Sequence, residues 1–123
     1  MTRPAHLVCV VDDDESVREA LPDLLRTFGL EAQAFGSAEA FLASELVDRA
    51  RCLVLDVAMP GMNGFALQAA LARSLRPIPI VFITAHGDDD VRPRALAAGA
   101  VECLHKPFSE AALLDAVNAA LQR

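Results

Sequence analysis

The sequence predicts one doubly wound α/β domain, with five parallel strands in the order 2-1-3-4-5 and helices on both faces. Three observations lead there. Short apolar or β-branched runs alternate five times with longer segments whose apolar residues recur at helical spacing. The chain has 123 residues, 54% of them hydrophobic and 23% charged, enough for one core without a disulfide or metal staple. No linker and no internal repeat divides it, so residues 1–123 read as a single domain.

The elements follow in order. His6 to Val11 is a β-branched strand that stops at acidic residues. Val17, Ala20, Leu21, Leu24, Leu25 and Phe28 lie on one face of a helix, with Asp14 or a neighbour as cap and Gly29 as stop. Pro22 removes a backbone donor inside that helix and is expected to kink it. Glu31 to Phe35 alternates polar with small or apolar residues, as an edge strand does. Ser37 caps a second helix reaching about Val47. Cys52 to Leu55 is continuously apolar, the mark of a strand buried on both faces. Pro60, Gly61, Asn63 and Gly64 make a loop before a helix over Phe65 to Arg73. Ile78 to Ile83 is the fourth strand, Val91 to Ala98 a short helix stopped by Gly99, and Val101 to Leu104 the fifth strand. Pro93 fits that short helix only within its first turn. Ser109 caps a final helix carrying Ala112, Leu113, Ala116, Val117, Ala120 and Leu121 on one face.

Right-handed crossovers place helices on both sides of such a sheet. The half-polar second strand and the apolar first, third and fourth suit the flavodoxin-like order. A ligand then sits beyond the carboxyl ends of the strands, near the switch point between strands one and three.

Composition narrows the function. Eleven Lys and Arg against seventeen Asp and Glu leave a net charge of −6, which argues against direct nucleic-acid binding. No apolar run is long enough to span a bilayer and MTRPAH does not read as a signal peptide, so a cytoplasmic location without membrane attachment is expected. Cys9, Cys52 and Cys103 are far apart and lack C-x-x-C neighbours, so they read as small buried hydrophobes in a reducing compartment. Without Trp or Tyr, the chain offers no platform of those residues for base stacking.

The strand ends hold the chemistry. The first strand runs into Asp12-Asp13-Asp14, the third into Asp56, the fourth into Thr84, and Lys106 follows the fifth. Converging carboxylates repel one another unless a cation joins them, and hard oxygen donors suit Mg²⁺ (or Mn²⁺). A hydroxyl and an ammonium beside such a metal can hold phosphoryl oxygens. Alone, Asp12 to Glu15 would be a solvated helix N-terminus, and so would Asp88 to Asp90. The shared register of Asp12, Asp56, Thr84 and Lys106 points instead to a phosphoryl site.

In order and spacing, VVDDDESVR, LVLDVAMPGMNG, FITAHGD, the AAGA turn and LHKPF resemble the receiver domain of bacterial two-component response regulators. The likeness covers nearly the whole chain and is strongest to receivers of the nitrogen-fixation regulator type, whose strand-four loop also reads T-x-H-G-D. The resemblance implies that Asp56 is the phosphoacceptor for a sensor histidine kinase. It implies that Asp13 binds the metal directly, Asp12 through a water, and Asp56 and the Ala58 backbone carbonyl complete the protein ligands. It also implies that Thr84 and Lys106 contact phosphoryl oxygens and that Lys106-Pro107 is a cis peptide. Signal would leave through the fourth helix, fifth strand and fifth helix, about Val91 to Leu121, toward an output domain or protein, with a phosphorylation-dependent homodimer as one form.

Cys103 departs from the family pattern, because receivers carry an aromatic switch residue there and a thiol is no bulky rotor. His86, Phe82 and His105 remain as candidates to replace it, and Ala58 and His86 flank the path of hydrolytic water. Two other readings stay open: a Mg²⁺-dependent phosphohydrolase with Asp12 as nucleophile, and a phosphorylation-independent interaction module. The expectation is a phosphoacceptor signalling domain rather than an enzyme, standing alone or excised from a longer transcription regulator.

Overall fold

Side-chain alternation along each strand sorts the apolar residues onto the two faces of one sheet. The computed structural model describes residues 6–74, 77–85 and 90–123. In chain order these form β1 (Leu7–Val11), α1 (Glu15–Thr27), β2 (Glu31–Phe35), α2 (Ala38–Leu42), a short 3-10 turn (Glu45–Asp48) and β3 (Cys52–Asp56). Then come α3 (Gly64–Ala72), β4 (Ile80–Thr84), α4 (Val91–Ala97), β5 (Glu102–His105) and α5 (Glu110–Leu121). All strand pairs are parallel, in the order β2-β1-β3-β4-β5, the flavodoxin-like arrangement expected.

On one face Cys9, Val11, Leu53, Leu55, Phe82 and Cys103 pack with Phe41 of α2, Leu67 of α3 and Ala95 of α4. On the other, Val8, Val10, Val54, Val81 and Ile83 pack with Leu25 of α1 and Val117 of α5. Strand residues therefore alternate strictly between two separate cores, which is why β1, β3 and β4 read as unbroken apolar runs. Phe41 and Phe82 are both fully buried, each contributing about 2–3 kcal/mol by transfer from water. All three cysteines are buried and free, and burial pushes the Cys9 thiol up to about 11 and that of Cys52 to about 12.

Most boundaries lie within two residues of expectation, and the differences have local causes. The second helix ends at Leu42 instead of reaching Val47. The Ser44 hydroxyl donates to the Phe41 carbonyl at 2.7 Å and accepts from Leu46 N at 3.2 Å, so it ends one helix and starts the 3-10 turn. Pro22 is buried within an uninterrupted α1, and Pro93 is the third residue of α4, inside its first turn as required. Pro79 precedes β4, where its missing donor is harmless, and its carbonyl accepts from Leu53 N at 3.0 Å. Among the described residues no helix is long and apolar enough to cross a membrane.

Candidate functional site

Parallel pairing brings the ends of β1, β3, β4 and β5 to one edge of the sheet, and backbone bonds carry that order past the strands. Asp12 N donates to Phe35 O at 3.1 Å, Val57 N to Ile83 O at 3.0 Å and Lys106 N to Thr84 O at 2.8 Å. Asp12, Asp56 and Thr84 are thereby held at the edge with relative exposures of 0%, 5% and 4%. They are the buried polar residues among the described ones, and all stand at this edge. Burying polar groups costs stability unless they are paired, so their concentration marks a site rather than a core.

Asp12 is fully engaged. Its Oδ1 accepts from Asp14 N at 2.9 Å, and its Oδ2 lies 2.9 Å from Lys106 Nζ. Burial works against the Lys106 charge, but the Asp12 hydrogen bond and the carboxylates of Asp56, Asp12 and Asp14 outweigh it and raise its pKa. Asp14 caps α1, accepting from Ser16 N at 2.9 Å and Ser16 Oγ at 2.7 Å, and those bonds hold its carboxyl below the usual range. Three consecutive aspartates thus divide their work: one buried, one capping, and Asp13 exposed beside the cluster.

Asp12, Asp13 and Asp56 each place a carboxylate oxygen within 4.8 Å of the others. Burial and the neighbouring Asp12 carboxylate push Asp56 up to about 7 against the pull of Lys106. Three hard oxygen donors with only one ammonium among them form a negative, partly desolvated nest, and a divalent cation such as Mg²⁺ fits it by charge and by donor type. Asp56 Oδ1 accepts from Ala58 N at 3.3 Å, which orients the carboxyl. Among the described residues, the Thr84 hydroxyl has one contact, donating to Ala85 O at 3.5 Å.

Gly64 lets α3 start directly behind the site. A Cβ there would lie 2.5 Å from the Asp56 carbonyl oxygen and 3.0 Å from Phe82 Cε1. Two supporting residues carried no sequence-level assignment. Arg18 Nη1 donates to the Asp12 carbonyl at 3.1 Å, and its guanidinium lies over Gly36. Glu39 Oε2 accepts from Met62 N at 3.3 Å and lies against Gly61, whose φ of +74° suits glycine. Arg18 closes the VVDDDESVR run, which is a signal of position but not of role.

Cys103 is 2% exposed and stands opposite Phe82 in the β4–β5 ladder, packed as a core residue. Lys106-Pro107 is a cis peptide, as the resemblance implied. His86, Asp88 and Asp89 lie outside the described residues. Asp90 is the N-cap of α4 but its side chain makes no cap bond.

Residues 8–118 match the response regulator receiver domain family. Nodulation protein W of Bradyrhizobium diazoefficiens is 51% identical over 117 residues, covering 95% of this chain and 52% of that protein. The response regulator StyR superposes with a TM-score of 0.88 at 52% identity, over 97% of this chain and 60% of that one. The crystal structure of FixJ-N superposes with a TM-score of 0.87 at 36% identity, over 98% and 97%. This chain spans about half the length of the curated relatives it matches.

Proposed function

The chain belongs to the response regulator receiver domain family of two-component signalling, and on that premise we propose that it takes a phosphoryl group from a sensor histidine kinase onto Asp56. The observation that carries the reading is the placement of Asp56, buried in a cluster with the carboxylates of Asp12 and Asp13, the first of which pairs with the ammonium of Lys106. Asp56 attacks the phosphorus of the donor phosphohistidine, the P–N bond breaks, and the imidazole leaves with its electron pair and takes up a proton. The product is an acyl phosphate on Asp56. Mg²⁺ held by Asp13, Asp56 and the Ala58 carbonyl, and by Asp12 through water, would neutralise charge on the phosphoryl oxygens. Thr84 donates its hydroxyl proton to one such oxygen, and Lys106 swings from Asp12 to another. Positioning and charge neutralisation are what this chemistry requires of a protein.

Asp13 has no hydrogen bond or ion pair with any described residue, whereas both Asp12 oxygens are engaged. This supports Asp13 as the direct ligand and Asp12 as the one acting through water. It also favours Asp56 over Asp12 as nucleophile, and with it a phosphoacceptor domain over an aspartyl phosphohydrolase.

The output surface in this reading is α4-β5-α5, where Arg92 clamps Glu102 through bonds of 2.9 and 3.2 Å. An output domain or partner protein, or a second phosphorylated copy, docks there in a cytoplasmic setting. Incubation with Mg²⁺ and acetyl phosphate, read by intact mass, tests the proposal. Wild type gains one phosphoryl group and Asp56→Asn gains none. Phosphorylation that survives Asp56→Asn but is lost in Asp12→Asn overturns it.

A further inference from the structure

His105 ends β5 in direct register with Thr84 at the end of β4. Adjacent strands lie about 5 Å apart, so the two residues are nearest cross-strand neighbours. Two positions earlier on each strand, Phe82 and Cys103 are also register partners, and both belong to the core beneath α4. The two-residue period puts Thr84 and His105 on that same face.

Both residues are short of partners. His105 Nε2 is the buried side-chain nitrogen or oxygen without a hydrogen bond among the described residues. A buried polar atom left unpaired is costly, and such atoms in native proteins call for an explanation. Among the described residues, Thr84 Oγ1 has only the 3.5 Å contact to Ala85 O. A residue with an orphan imidazole nitrogen is therefore the cross-strand neighbour of a threonine whose hydroxyl accepts no hydrogen bond from a described residue, at the mouth of the acidic site.

We propose that His105 is a positioning residue for Thr84, taking the place in the switch that an aromatic side chain at Cys103 would fill. This rests on the receiver reading above. Once Asp56 carries a phosphoryl group, the Thr84 hydroxyl proton is donated to a phosphoryl oxygen. The Thr84 oxygen is then fixed as an acceptor, and His105 Nε2–H donates to it. The chain of bonds runs from imidazole to hydroxyl to phosphoryl, with no proton transferred, and pairs the atom left orphaned beforehand. Cys103 is too small and too deeply packed to move in this way, whereas His105 is half-buried and lies beside α4. Its reorientation carries the state of Asp56 to the output face.

Side-chain NMR of ¹⁵N-histidine protein with Mg²⁺ and beryllofluoride tests this directly. The expected result is a slowly exchanging His105 Nε2–H signal in the beryllofluoride complex, absent from the free protein and lost in Thr84→Ala. His105→Leu should weaken beryllofluoride binding about tenfold, the loss of one hydrogen bond. His105→Gln, which keeps a donor, should recover most of it, and His105→Leu should have no further effect in a Thr84→Ala background. An unchanged Nε2 signal in wild type that binds beryllofluoride overturns the inference alone, whether or not His105→Leu folds. Equal losses from His105→Leu with and without Thr84 overturn it as well. If wild type takes up neither beryllofluoride nor a phosphoryl group, the receiver reading falls and this inference with it.

Discussion

Lys106 Nζ lies 2.9 Å from Asp12 Oδ2, joining two residues 94 positions apart across the mouth of the acidic site. Asp12 is fully buried and Lys106 a quarter exposed, so the carboxylate depends on the ammonium more than the reverse. Lys106→Met should lower metal-free stability by about 1–3 kcal/mol, because a buried charge loses its partner. The gain in Tm on adding Mg²⁺ should be larger in this variant than in wild type, since the cation then replaces the missing ammonium. Thermal melts with EDTA and with millimolar Mg²⁺ measure both effects.

Burial and the neighbouring Asp12 carboxylate push the Asp56 carboxyl in the folded chain up to about 7 from its ordinary 3.8. The folded state therefore holds its proton more tightly than the unfolded state does. That contribution to stability is full below about pH 4 and is lost as pH rises to about 7. In EDTA, wild type should lose stability over this window, whereas Asp56→Asn should show a flatter profile. At pH 7.5 Asp56→Asn should be the more stable protein, by about 1–3 kcal/mol. Urea unfolding from pH 4.5 to 8 reads the difference. A wild-type profile that rises as steeply as or more steeply than the variant's contradicts the buried, repelled carboxylate.

Mg²⁺ should bind the folded chain and raise its Tm, with about 2.7 kcal/mol of stabilisation at a hundredfold excess over its dissociation constant. Affinity should increase from pH 6 to 8 as Asp56 loses its proton. Asp13→Ala, at an exposed position with no bond to any described residue, should leave the metal-free Tm unchanged and remove most of the Mg²⁺-dependent shift. Calorimetric titration of the two proteins separates loss of binding from loss of fold.

Gly64→Ala should destabilise by about 1–3 kcal/mol, because the new methyl collides with the Asp56 carbonyl oxygen and must displace the backbone. Gly99→Ala is the control. Its cost arises from φ of +101° alone, with no atom within 4 Å of the added carbon. Only Gly64→Ala should also slow phosphorylation by acetyl phosphate.

The architecture was legible because alternation between apolar runs and helical stretches survives in the order of residues. Asp56, Thr84 and Lys106 were legible as well, since each stands at or next to the end of such a run. Ser44 was not, since a hydroxyl that bonds back to Phe41 O is indistinguishable in sequence from one that rides along a helix. Arg18 and Glu39 were hidden for a related reason: each acts on a backbone atom outside its own helix, and backbone partners leave no trace in residue identity.

The sequence by itself determined the strand runs, the acidic, hydroxyl and ammonium groups at their ends, and the family those groups belong to. Tertiary structure alone decided how Asp12, Asp13 and Asp14 divide into a buried anchor, an exposed carboxylate beside the acidic cluster and a helix cap. The reason is geometric: successive residues leaving a strand point in different directions, and only the packed neighbours determine what each meets. Register made the same kind of choice between Cys103 and His105. It set the cysteine against Phe82 in the core and the histidine against Thr84 at the site, a pairing that depends on two strands and is written in neither.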